Sequence, residues 1–154
     1  MKLHFVVLAI LALSLVTSCK KVKNNNKKPV ITYLGLDSNT VVSGSSEDTV
    51  YVHFQVTDGD GDIAHGQSEH DIYMTDSRTG QKLEFFYPEI PEGTINTDEG
   101  VNATVTVKIV AALFLETRLD HPNGDTLTYD LYVKDRASNQ SNTVTTSKIY
   151  IKMP

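Results

Sequence analysis

The sequence predicts an all-β domain, an antiparallel sandwich of about seven strands, on three observations. From Pro29 onward the apolar residues recur with a period of two, as in Val50, Val52, Phe54 and Val56. The alternating runs are short and are separated by clusters of Gly, Asp, Asn and Pro. No stretch carries a long helical period, so neither a parallel βαβ sheet nor a bundle fits. A small barrel is the alternative closure. The 154 residues suffice for one domain once the N-terminal segment is set aside.

Residues 1–18 read as a processing segment, with Lys2 as its positive start and Phe5 to Val16 as its apolar region. That region is short of the roughly 20 residues a membrane span needs. Val16-Thr17-Ser18-Cys19 then resembles the lipobox of bacterial lipoproteins. The resemblance implies that Cys19 becomes the N-terminus and carries the lipid, such as palmitate, that anchors the protein to a membrane. Cys19 is also the sole cysteine, so a disulfide framework and a thiolate metal site are excluded. Residues 19–28, from the lipidated Cys19 through Lys20 to Lys28, have almost nothing to bury and form a Lys/Asn-rich tether.

The domain proper covers residues 29–154. Val30 to Leu36 is a first strand, and Thr49 to Val56 a central one with its even-numbered residues on the core face. Asp71 to Thr75 and Lys82 to Tyr87 flank Ser77-Arg78-Thr79-Gly80, a hairpin with glycine where φ must be positive. Pro88 and Pro91 exclude a central strand, and Glu89 to Gly100 reads as loop. Ala103 to Ile109 is a strand, and Val110 to Leu115 suits a helical turn. Leu127 to Val133 and Thr143 to Lys152 complete the set.

Asp58-Gly59-Asp60-Gly61-Asp62 follows the central strand, and three carboxylates within five residues repel one another unless a cation sits among them. Calcium takes six to eight oxygens, and alternate side chains spaced by glycine can converge on it. If Asp58 is the first position of an EF-hand-like loop, Asp60 and Asp62 fall at the third and fifth and Glu69 at the twelfth. Ile63 then stands where that loop has its glycine, and a strand rather than a helix leads in. In a second geometry Asp135 and Asn139, just after the Tyr129 to Lys134 strand, supply oxygens to the same ion. Ordinary Asp and Asn turns held by side chain to backbone bonds are the alternative to a metal. His65 and His70 beside Glu69 leave a transition-metal site conceivable.

The Asp-Gly-Asp-Gly-Asp-Ile run, with the later Asp-Arg-Ala-Ser-Asn-Gln-Ser-Asn and the lipobox, resembles small immunoglobulin-like lipoproteins of Bacteroidetes. It also resembles, more loosely, the calcium loops of cadherin-like domains. The resemblance implies an immunoglobulin-like sandwich in the cell envelope and no particular activity. Lys20 after Cys19 lacks the aspartate associated with inner-membrane retention, which points to the outer membrane. The absence of an acidic cluster resembling surface-export signals favours a periplasm-facing position.

Residues 29–154 hold eight Lys and Arg against nineteen Asp and Glu, a net −11 where the whole chain has −5. Such a surface repels nucleic acid. No nucleophile elbow, phosphate loop or paired catalytic carboxylates appear, so no catalytic residue is assigned and a non-enzymatic module is expected, with a hydrolase as the weaker reading. Its partner would be an envelope protein or a glycan. Phe85, Phe86 and Tyr87 could form a platform for sugar rings. Thr49 and Thr126 follow aspartates in triplets that resemble the acceptor motif for O-glycosylation in Bacteroidetes.

Overall fold

The computed structural model describes residues 26–88 and 100–154. The processing segment, Cys19 and all of the expected loop Glu89 to Gly100 except Gly100 itself lie outside the described residues. In chain order the strands are β1 (Val30–Leu36), β2 (Thr40–Val42), β3 (Thr49–Asp58), β4 (Ile72–Asp76) and β5 (Lys82–Phe85). They continue with β6 (Val101–Val110), β7 (Asp125–Leu127), β8 (Tyr129–Val133), β9 (Val144–Thr145) and β10 (Ile149–Lys152). A single turn of helix, α1 (Ala111–Phe114), follows β6 where the helical turn is expected.

The chain forms the all-β sandwich the period-two pattern predicts. One layer is the antiparallel sheet β1-β3-β6, in which β3 and β6 pair along their full length from Thr49↔Val110 to Asp58↔Val101. The other is built from β5-β4-β8-β9 and β2-β10-β7. These two sheets share one bent ribbon. β7 and β8 are separated only by Thr128, and Leu127 pairs with Ile149 while Asp130 pairs with Thr145. At the bend the Tyr129 amide donates to Thr146 Oγ1 and the Thr146 amide to the Tyr129 carbonyl, both at 2.9 Å, so the shift leaves no donor stranded.

Among the described residues ten strands stand where about seven are expected, because short segments pair at the edges. Seven of them have four residues or more. The pairing is antiparallel except that β2 lies parallel to β10.

Alternation decides what is buried. On β3, Val50, Val52, Phe54 and Val56 are fully buried; Val105, Val107 and Ile109 face them from β6, and Ile72, Met74, Leu131 and Val133 come from the second layer. Fully burying such a side chain contributes about 1.5–3 kcal/mol. The free edge of β1 is covered in an unusual way. Asn142 accepts from the Ile31 amide at 2.8 Å and donates to the Ile31 carbonyl at 2.9 Å, as a neighbouring strand would. The β4–β5 hairpin closes as expected, with Gly80 at φ 72° and its amide donating to the Asp76 carbonyl at 2.8 Å. Among the described residues no helix is long and apolar enough to cross a membrane.

Candidate metal centre

The site lies where β3 and β8 end. Asp58 is the last residue of β3, and the parity that buries Val50 to Val56 also turns its side chain inward, leaving it 1% exposed. Asp135 extends β8 in the same way: Tyr129, Leu131 and Val133 face the core, and Asp135 is completely buried after them. Two strands of opposite layers therefore deliver carboxylates to one end of the sandwich.

Asp62 completes the group, since one oxygen from each of Asp58, Asp62 and Asp135 lies within 4.8 Å of the others. The Asp60 carboxyl lies against those of both Asp58 and Asp62. The loop is drawn round by the Asp62 amide, which donates to Asp58 Oδ2 at 3.1 Å, and by the Arg136 amide, which donates to the Asp62 carbonyl at 2.8 Å. Gly100 packs against its back. A Cβ at Gly100 would stand 2.2 Å from the Asp58 carbonyl oxygen, so only glycine fits there.

The electrostatics are those of an uncompensated cluster. Burial, then the charges of Asp60 and Asp62, push the Asp58 carboxyl up to about 7. Asp62 is raised as well, first by burial and then by Asp135 and Asp60, with the Arg136 charge opposing. Asp58 Oδ1, Asp60 Oδ1 and Asp62 Oδ1 are buried with no hydrogen-bond partner. An unsatisfied buried oxygen ordinarily costs about 1–3 kcal/mol, more when charged. Three of them converging, all hard anionic donors, suit an oxygen-seeking divalent cation of the calcium type.

Asn139 and Glu69 do not take the parts expected of them. The Asn139 amide donates to Asp135 Oδ1 at 2.7 Å and its side-chain Nδ2 to Asp135 Oδ2 at 2.8 Å. Asn139 thus orients Asp135, turning its side-chain nitrogen to that carboxylate. The tight turn that brings it there has Ser138 at φ 63°. Glu69 is exposed and lies 3.8 Å from His65, outside the cluster. The EF-hand spacing fails because Ile63 is buried in the core, and because His65 pairs through Nδ1 with Asp71, turning the loop away.

That buried Asp71 is the residue the sequence reading missed. Its bond to His65 raises the imidazole above its ordinary value, against an opposing effect of burial. His70 meets Glu84 at 3.4 Å and stacks on Phe86 at 4.2 Å, so the two histidines serve different carboxylates and make no joint metal site.

Two further expectations change. Tyr87 is only 6% exposed, and Phe85 packs edge-on against Phe114, so of the expected platform only Phe86 faces outward. The alternation of β5 carries on past its end: Phe86 follows Glu84 outward, while Tyr87 shares the inward parity of Leu83. The Tyr87 hydroxyl is buried without a partner; burial first, then the charges of Asp71, Asp58 and Asp135, raise it well above the usual phenol value. The tether is also less free than expected at its end: the Gly59 amide donates to the Asn26 carbonyl at 2.9 Å. Thr49 is half-buried at the start of β3 and Thr126 is exposed on β7. Comparisons with family models, curated proteins and solved structures return no match.

Proposed function

We propose that this protein is a lipid-anchored envelope protein whose sandwich is a calcium-stabilised, non-enzymatic binding or accessory module. The observation that carries the calcium part is the set of three orphaned buried oxygens on Asp58, Asp60 and Asp62 beside the buried Asp135. With the ion bound, like-charge repulsion becomes attraction to a shared centre, and the two layers are joined at that end. The rigid loops would then present a fixed surface to a partner.

Calorimetric titration of the purified protein with calcium should show saturable binding. Asp58→Asn and Asp135→Asn should each weaken it about tenfold or more, as expected for loss of a charged contact of roughly 1.5–3 kcal/mol. A wild-type protein that takes up no calcium would end this reading.

The anchor rests on the Val16 to Cys19 tetrad and on Cys19 being the sole cysteine. Multiple acyl chains hold a protein on a membrane where one does not. In cell fractionation the wild type should sediment with the outer membrane and Cys19→Ala should not mature to a lipidated form. Equal distribution and equal mass of the two would remove the anchor from the proposal.

A further inference from the structure

We infer that the ion at the Asp58–Asp135 centre also clamps the chain that enters the sandwich, fixing the direction in which residues 26–28 leave the domain; this rests on the calcium reading above. The two contacts that hold this segment come from the two ligand-bearing loops. The Gly59 amide, between Asp58 and Asp60, donates to the Asn26 carbonyl at 2.9 Å. Asn139 Nδ2, which orients Asp135, also reaches the Lys27 carbonyl at 3.4 Å. The segment is braced further by the Lys28 amide, which donates to Asn26 Oδ1 at 3.3 Å, and by the buried Pro29 that follows.

Both donors depend on the state of the acidic centre. Without a cation, Asp58, Asp60, Asp62 and Asp135 repel one another, and the force acts on the short loops in which Gly59 and Asn139 sit. With a cation those loops are drawn together, and the donors are held in the positions that meet Asn26 and Lys27. Exposed hydrogen bonds between a loop and an entering segment belong to the least stable part of a fold, so they respond first when the loop loosens. Asn26 lies seven residues after Cys19. In the anchored protein, the clamp would therefore set how the sandwich stands on the membrane, with calcium switching it between a held and a swinging posture.

The peptide bond after Lys27 reports the clamp directly, because Lys27 and Lys28 are exposed. Purified protein is digested with endoproteinase Lys-C in calcium or in chelator, cut positions are read by mass spectrometry, and calcium binding is measured on the same samples. Calcium should slow cleavage at Lys27 about tenfold, the effect of securing one or two hydrogen bonds. Cleavage at Lys148, exposed between β9 and β10, should change much less. In Asp135→Asn, protection at Lys27 should require correspondingly more calcium. If calcium binds but cleavage at Lys27 is unchanged, or slows no more than at Lys148, the clamp is overturned while the metal centre stands. If no calcium binds, both fall.

Discussion

At pH 8, adding chelator to the calcium-loaded protein is expected to lower its melting temperature by about 10 °C, and the gap should narrow as the pH falls toward 5. An ion that binds only the folded state adds about 2.7 kcal/mol at a hundred times its dissociation constant. For a domain of this size that corresponds to about 4 °C per kcal/mol. The pH dependence follows from Asp58. Its carboxyl titrates near 7 in the fold against an ordinary value of 3.8, so between those values the folded protein binds more protons than the unfolded chain. Metal-free stability therefore falls as pH rises from about 4 to about 7. Calcium must displace that proton, so its own contribution grows over the same interval. The His65–Asp71 pair works in the same direction: its imidazole is raised, so its contribution is complete below 6.5 and is lost as pH rises through the folded value. That pair is present with or without calcium, and the difference between the two melting curves isolates the acidic centre. Superimposed curves at pH 8, or a gap that widens toward pH 5, would contradict the proposed ion.

The physical pattern behind this expectation recurs at the opposite end of the sandwich. On β4 the parity that buries Ile72 and Met74 also buries Asp76, and on β7 Asp125 is buried in step with Leu127. Each end thus receives inward-facing aspartates from strands whose other inward residues are apolar. The Asp76 and Asp125 end is neutralised by Arg78 and Arg118 from the chain itself. At the Asp58 and Asp135 end, among the described residues, no lysine or arginine forms an ion pair with the cluster, and the charge of the exposed Arg136 only partly offsets the rise of Asp62. A cation from solution would supply there what the arginines supply at the other end.

Much of this was legible in the sequence, and the rest was hidden for identifiable reasons. The period-two runs marked β3, β4, β6 and β8 because a half-buried strand repeats its environment every second residue. Asp58, Asp60, Asp62 and Asp135 were visible as turn-flanking carboxylates, and continuing the strand parity through Asp58 and Asp135 would have marked both as buried. Asn139 and Glu69 could not be placed, since spacing within a loop says nothing about which way an amide turns or which histidine captures the chain. Asp71 was passed over because it looks like the solvated start of a strand until His65 folds back on it. Arg78 was read only as part of a hairpin turn, and nothing in Ser-Arg-Thr-Gly announces that its side chain folds inward.

Arg78→Ala should accordingly be the most destabilising single substitution of an exposed-looking turn residue, at about 3–5 kcal/mol, the cost of removing one partner from a buried ion pair. The Arg78 side chain is only 6% exposed. Its Nη2 donates to Asp76 Oδ2 at 2.7 Å, and its Nη1 donates to Asp125 Oδ2 at 3.1 Å and to the Glu116 carbonyl at 2.8 Å. Burial opposes ionisation of Asp125, yet hydrogen bonds from Arg118, from the Thr126 amide and from Arg78 hold its carboxyl well below the usual range. Removing Arg78 strands Asp76 with no cation and leaves Asp125 to Arg118 alone. Arg118→Ala should cost less, because Arg118 is itself a third exposed and Arg78 remains behind it. Arg78→Lys should fall between, retaining the charge but not the fork that reaches both carboxylates. Urea unfolding of the three variants, with calcium held constant, gives the ranking. A loss below about 1 kcal/mol in Arg78→Ala, typical of a solvated surface pair, would mean that this end is open to water and that the contrast between the two ends does not hold.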